Sequence, residues 1–312
     1  MNDNKTQRIG MIGIGLMGQG IAGNILHHGW TVGFLEHPGN QPTDHLVAEG
    51  AIAYASGSEL ATASDVIILC VTGTPQVEDA LLRADGVLSG LRPGTVIIDC
   101  STAIPGSTVK LAQTVAAAGG AFLDAPMTRT PKEAAEGRLN LIVGGDRALF
   151  DEQLPLLESF SENITYAGPV GSGHTLKLLH NFVSLGFSTV LAEAAACAEK
   201  GGIEPGVLVE VLAAGGGAGA ILQRLQPYIL ARDSSGFKFS IANAHKDIGY
   251  YVAMAESLEA EDRAARGIFA VLSGALESGF DQASIPELMA VLNGQPLSTA
   301  DQPVPGRSTE DR

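Results

Sequence analysis

The feature that most constrains this chain is the run Gly13-Ile14-Gly15-Leu16-Met17-Gly18, which follows the apolar stretch Ile9–Ile14 and opens a helical segment, Gly18–His28. A glycine triplet at this spacing serves a strand-to-helix turn: a tight bend, close backbone approach to a pyrophosphate, and close packing of helix on strand. The helix N-terminus then presents amide N–H groups to phosphate. Because the motif lies near the start of an alternating strand–helix pattern, it reads as a dinucleotide-binding fingerprint rather than as glycines of an unrelated loop.

The rest of the first half keeps that alternation. Thr31–Leu35, Val66–Val71, Val96–Asp99 and Leu141–Val143 are short, β-branched runs bounded by Gly, Pro or Asp. Gln76–Leu82 and Ser107–Ala118 between them are helical in character. Such alternation implies parallel pairing through right-handed crossovers, hence an α/β, doubly wound parallel sheet of the Rossmann type.

After Gly173 the texture changes. His174–Lys200 is one long apolar segment without proline, and Pro205–Ala213, Ala220–Ala231, Ala242–Glu259, Glu261–Ser278 and Ile285–Leu292 also read as helices. The expected organisation is a dinucleotide-binding domain over 1–168, an all-α C-terminal domain over 169–294 entered by a long interdomain helix, and a polar, proline-containing tail over 295–312 that is expected to be disordered.

About 20 positions past the glycines, where a ribose-binding acid is expected, stands Glu36, at the end of the second strand. A carboxylate there accepts hydrogen bonds from ribose hydroxyls and repels a 2′-phosphate. Its neighbours His37 and Pro38 supply no fixed cation, so NAD is expected over NADP. A solvated strand-end carboxylate is the competing explanation.

Charge and cysteine content exclude several function classes. With 19 Lys+Arg against 34 Asp+Glu the net charge is −15, and no basic cluster interrupts it, so nucleic acid is not an expected partner. No stretch reads as the ~20 apolar residues of a membrane span, and the glycine-broken N-terminus does not read as a signal peptide. Cys70, Cys100 and Cys197 are odd in number and far apart, which fits reduced, buried thiols of a cytoplasmic protein. His174 and His180 are six apart, and neither HExxH nor a cysteine cluster occurs, so no metal site is expected. Charged residues are only 17%, a weak sign of subunit interfaces.

The long helix carries the chemistry. His174, Lys177, His180, Asn181, Ser184 and Ser188 interrupt its apolar sequence, and at about 100° per residue they occupy roughly a third of the circumference. A polar stripe of this kind faces a wet cleft or solvent, and because the opposite faces are apolar all round, burial against a cleft is favoured. Lys177 is the natural acid–base group: a hydride can leave an alcohol carbon only if the hydroxyl proton also has a destination, and a partly desolvated lysine can take it or give it back. Asn181, one turn on, can hold the substrate oxygen or orient the amine.

These motifs, with Asp99-Cys100-Ser101-Thr102-Ala103-Ile104-Pro105, Asp124-Ala125-Pro126, Gly171-Ser172-Gly173-His174-Thr175-Leu176-Lys177 and Lys246-Asp247, resemble the β-hydroxyacid dehydrogenase family from Ile9 to about Leu292. The resemblance implies Lys177 as catalytic lysine with Asn181 beside it. It implies Val71 and Thr72 lining the cofactor, Thr102 near the nicotinamide ribose, and Lys246 reaching the cofactor. Ser101, Met127, Thr128, Arg129, His180 and Ser184 fall on its substrate positions. It also implies a small anionic hydroxy acid or aldehyde as substrate and a homodimer or homotetramer.

One departure matters. The family usually continues Asp-Ala-Pro with Val-Ser-Gly-Gly, whereas this chain has Met127-Thr128-Arg129-Thr130, closer to the Gly-Arg-Thr of sulfolactaldehyde reductases. Arg129 would bring a planar, permanently charged fork to a carboxylate or sulfonate head; an outward-facing solubilising arginine is the bland reading. Two rival functions stay open. A non-catalytic NAD-binding regulator has no need of Lys177 and Asn181 on one face, and an imine reductase of the same fold usually lacks the lysine.

Overall fold

The computed structural model describes residues 6–297. In chain order its elements are β1 (Arg8–Ile12), α1 (Gly18–His27), β2 (Thr31–Leu35), α2 (Asp44–Ala48), β3 (Ile52–Tyr54), α3 (Gly57–Ala63), β4 (Val66–Leu69), α4 (Thr74–Leu82), α5 (Val87–Gly90), β5 (Val96–Asp99), α6 (Pro105–Ala117), β6 (Ala121–Asp124), β7 (Met127–Thr128), α7 (Pro131–Ala135), β8 (Leu139–Gly145), α8 (Arg147–Leu157) and β9 (Ser161–Gly168). Helices follow: α9 (Ser172–Lys200), α10 (Pro205–Ala213), α11 (Ala220–Ala231), α12 (Ile241–Ser257), α13 (Arg263–Glu277) and, after a 3-10 turn at Ile285–Glu287, α14 (Leu288–Leu292).

The sheet runs β3-β2-β1-β4-β5-β6-β8-β7, with β9 paired to β8. Its first six strands are parallel; β8 runs antiparallel to β6 and β7, and β9 parallel to β8. Strand order reverses between β1 and β4, and in doubly wound sheets the crevice beyond the carboxyl ends of such strands is where ligands bind. The central strands β4 and β5 are buried along their whole length. Val66, Ile67, Ile68 and Leu69 of β4 are completely buried, as are Ile97 and Ile98 of β5. Burial of this kind contributes about 1.5–3 kcal/mol for each aliphatic side chain.

The sequence pattern finds the central strands and misses the peripheral ones. β3, β6, β7 and β9 were not expected. β9 carries Ser161, Glu162, Asn163 and Thr165 and lies half exposed, so it lacks the apolar run that marks a buried strand. β7 has two residues, too few for any periodicity. β1 ends at Ile12 rather than Ile14, because Gly13 turns the backbone to φ +96°.

The chain divides into two compact units. One holds the described residues up to His180 together with Tyr250–Glu261; the other holds Asn181–Gly249 and the described residues from Asp262 on. The second is helical, its core formed by residues such as Ile241, Ile248, Leu272, Ile285 and Leu288, all completely buried. The expected tail lies, from residue 298 on, outside the described residues.

Three expectations need correcting. Helix α9 is long and apolar enough to cross a membrane by length and composition, although half of its most apolar window is buried in the protein. Its polar stripe does not face a cleft uniformly. His174, Asn181 and Ser188 are buried, while the apolar Val183 and Val190 are 69% and 59% exposed. The polar groups turn inward because protein partners satisfy them there: Asp124 and Thr108 for His174, Asp247 for Asn181. Lastly, the cysteines are not uniformly buried: all three are free thiols, Cys100 buried, Cys70 half-buried and Cys197 exposed.

Candidate active site

The glycine loop sits at the carboxyl end of β1, beside that of β4. A Cβ on Gly13 would lie 2.3 Å from the carbonyl oxygen of Cys70, and one on Gly18 would lie 1.9 Å from that of Gly13. Both positions are closed to any side chain. Gly15 differs: a Cβ there meets nothing within 4 Å, so the space above it is open for a ligand to approach the backbone. Met17 precedes α1 without a side-chain cap, and in the first turn the Gln19 amide donates to the Gly15 carbonyl (3.0 Å); helix N-termini of this kind are favourable places for an anion. Leu16 is exposed, and Ile14 is buried in the core. This loop fits a dinucleotide pyrophosphate.

The loop after β2 is fastened to the glycine loop. The Ile14 amide donates to Asn40 Oδ1 (3.2 Å), Asn40 Nδ2 to the Leu35 carbonyl (3.0 Å), and the Gln41 amide to the Ile14 carbonyl (2.7 Å). A pocket at this point is lined by Phe34, Glu36, His37, Pro38 and residues 40–44. Glu36 is exposed there, and the lining contains neither Lys nor Arg.

Beyond β4, the Val71 amide donates to Ser101 Oγ (3.0 Å), joining the two loops that carry Val71, Thr72, Ser101 and Thr102. The Thr74 amide donates to the Tyr250 hydroxyl (3.1 Å), and the Ile104 amide to Thr74 Oγ1 (2.9 Å). Sequence reasoning passed over Thr74 and Tyr250, because neither belongs to a recognisable motif.

At the foot of α9 lies a fully buried polar group. Asp124 accepts from the amides of Gly171 and His174, both at 2.8 Å. The His174 ring meets Thr108 Oγ1 at 2.8 Å and the Ser101 carbonyl at 3.2 Å. Asp99 accepts from the Ser101 amide (2.9 Å), and burial pushes its carboxyl above the usual carboxylate range. One turn after His174, Lys177 Nζ donates to the Met127 carbonyl (2.7 Å). Thr128 Oγ1 accepts from Asn140 Nδ2 (3.1 Å).

Arg129 is engaged by protein groups. Its guanidinium pairs with Glu162 and donates to the Arg138 carbonyl, and its backbone is held at φ +86°. A non-glycine residue at positive φ is strained.

In the second unit, Asn181 Nδ2 donates to Asp247 Oδ2 (2.7 Å), and Lys246 Nζ lies 3.1 Å from Asp247 Oδ1. Asp247 is nearly fully buried and orients both predicted site residues. It was legible only as the neighbour of Lys246. Ser184 is half-buried, its hydroxyl 3.4 Å from the Asn181 carbonyl, and His180 is exposed. No cluster of three or more metal-ligating side chains occurs among the described residues.

Comparison with known proteins agrees with this geometry. The NAD binding domain of 6-phosphogluconate dehydrogenase matches residues 8–168, and the NAD-binding region of NADP-dependent 3-hydroxyisobutyrate dehydrogenase matches 171–291. The chain is 33% identical to 2-(hydroxymethyl)glutarate dehydrogenase of Eubacterium barkeri, over 78% of this chain and 81% of that one. It is 32% identical to 2-hydroxy-3-oxopropionate reductase of Escherichia coli, over 80% of this chain and 85% of that one. In fold it is similar to a 3-hydroxyisobutyrate dehydrogenase of Mycobacterium tuberculosis solved with L-serine, with a TM-score of 0.81 at 24% identity, covering 92% of this chain and 99% of that one. With glycine loop, parallel sheet and both sequence profiles in agreement, this chain belongs to the β-hydroxyacid dehydrogenases, NAD(P)-dependent oxidoreductases acting on a CH–OH group.

Proposed function

We propose that this enzyme interconverts a small anionic β-hydroxy acid and its semialdehyde, using NAD, with Lys177 as general acid–base. The observation that carries the reading is the position of the Lys177 amine. It is held by the Met127 carbonyl on the segment that follows Asp124-Ala125-Pro126, within the same unit as the glycine loop.

Held by the glycine loop, NAD would supply hydride-transfer chemistry in either direction at the hydroxyl-bearing carbon. Lys177 does the complementary proton work. As a neutral amine it takes the hydroxyl proton during oxidation; as an ammonium it protonates the carbonyl oxygen during reduction. Asn181, oriented by Asp247, holds the substrate oxygen. Glycines 13, 15 and 18 receive the pyrophosphate. Val71, Thr72 and Thr102 border the nicotinamide end, and Lys246 is the second cofactor contact.

The adenosine end favours NAD. Glu36 would repel a 2′-phosphate, and its pocket offers no cation to offset that. Isothermal titration should therefore show NADH binding more tightly than NADPH, and Glu36→Ala should narrow the gap. The reverse order in the unmodified enzyme defeats the role given to Glu36.

Arg129 is the proposed contact for the substrate's anionic head, alongside Ser101, Thr128, His180 and Ser184. Glu162 is the resident carboxylate that the substrate's carboxylate or sulfonate would replace. The test is a panel of C3–C5 hydroxy acids, semialdehydes and sulfonates followed by NADH absorbance. Arg129→Ala should raise KM for the anionic members and leave kcat nearly constant. Equal kinetics across the panel would remove Arg129 from the site, and a panel with no turnover in either direction would overturn the reaction class.

A further inference from the structure

We propose that Asp124 and His174 are positioning residues that set where the Lys177 amine stands; this rests on the acid–base reading of Lys177. Asp124 is completely buried and acts as a borrowed cap. One carboxylate oxygen accepts from the Gly171 amide and the other from the His174 amide, so a side chain from the end of β6 satisfies two donors at the start of α9. Space for it is tightly reserved. A Cβ on Gly173 would lie 2.9 Å from Asp124 Oδ2 and 2.4 Å from the Ile142 carbonyl, and one on Gly144 would lie 2.6 Å from Asp124 Oδ1.

Three residues after Asp124, the same short segment presents the Met127 carbonyl that receives the Lys177 ammonium. One stretch of four residues thus grips α9 at its N-terminus and again, one turn on, at the reactive side chain. His174 adds a third fastening. The Ser101 carbonyl can only accept, so His174 Nε2 carries the proton that reaches it at 3.2 Å, while Nδ1 meets Thr108 Oγ1 at 2.8 Å. This ring ties α9 to the loop bearing Ser101 and Thr102. Asp124 and His174 together therefore fix the amine relative to both the substrate segment and the cofactor loop. Misplacement of a reacting group by about 1 Å can cost on the order of a hundredfold in rate.

Four substitutions test this. His174→Leu removes both ring contacts and should lower kcat ten- to a hundredfold, while KM for substrate and the NADH dissociation constant stay within threefold. His174→Gln, whose amide can still reach the Ser101 carbonyl, should recover kcat to within fivefold of the unmodified enzyme. Thr108→Val, which touches neither substrate nor cofactor, should give an intermediate fall with the same split. Asp124→Asn should lower kcat similarly and speed hydrogen exchange of the 171–174 amides at least tenfold. If Asp124→Asn yields no NADH-binding protein, the His174 and Thr108 series decides. A kcat within twofold of the unmodified enzyme in both His174→Leu and Thr108→Val overturns the positioning role, as does a fall in kcat that His174→Gln fails to recover. Lys177→Ala separates the two readings: if it retains full turnover, the acid–base assignment fails; if it is inactive while the other variants are not, only the positioning proposal fails.

Discussion

Lys177→Ala is expected to lower turnover by about two to four orders of magnitude, the range over which positioned acid–base groups act, with NADH affinity preserved. The separation follows from the structure. Lys177 lies on α9 with its amine on the Met127 carbonyl, whereas the pyrophosphate loop sits at the ends of β1 and β4. Removing the amine leaves that loop untouched, so the variant should still bind NADH in a fluorescence titration. The pH profile should change as well: the limb reporting ionisation of the amine should flatten, since the residual reaction relies on water for its proton. Retention of full turnover would point to a protein that binds NAD without using Lys177, the regulator that the sequence leaves open.

The second large effect concerns stability and cofactor binding together. Gly13→Ala should destabilise the protein by roughly 2–4 kcal/mol and abolish measurable NADH binding. At φ +96° an L-residue costs about 1–2 kcal/mol from the left-handed backbone alone. The added methyl would also lie 2.3 Å from the Cys70 carbonyl, a backbone atom at the end of β4 that cannot move without disturbing the sheet. Gly15→Ala is the informative contrast. Its methyl meets nothing within 4 Å, so the melting temperature should hold while NADH binding weakens. If both variants lose stability equally, the glycines are purely structural; if Gly15→Ala binds NADH normally, the open space above it is not the pyrophosphate site.

What the sequence made legible follows from how each element satisfies its backbone and side chains. The glycine triplet, the fully buried strands β4 and β5 and the helices α10 and α11 are local signals. Each is set by short-range sterics or by unbroken apolar character; β5, α10 and α11 lie where the pattern places them, and β4 ends at Leu69 rather than Val71. The sheet's outer part was opaque because β7 is two residues long and β9 is half solvated. The candidate site divides the same way. Lys177 could be found because an amine within the apolar run of a helix needs an explanation. The partners of Asp124 and His174 are 47, 50, 66 and 73 residues away in sequence, a separation that no local window spans. Arg129 shows the opposite limit: its charge is plain in the sequence, but its pairing with Glu162 depends on the unforeseen β9.

The three thiols have unequal chemical fates. Burial pushes the Cys70 thiol up to about 12, and Cys100 is raised as well, so neither is readily ionised and nucleophilic at neutral pH. Cys197 is exposed on α9 and open to reagents. Alkylating reagents and mild peroxide should therefore attack this last position first, leaving the sulfur that abuts the nucleotide turn reduced. That selectivity offers a single attachment point for a spectroscopic reporter without prior mutagenesis.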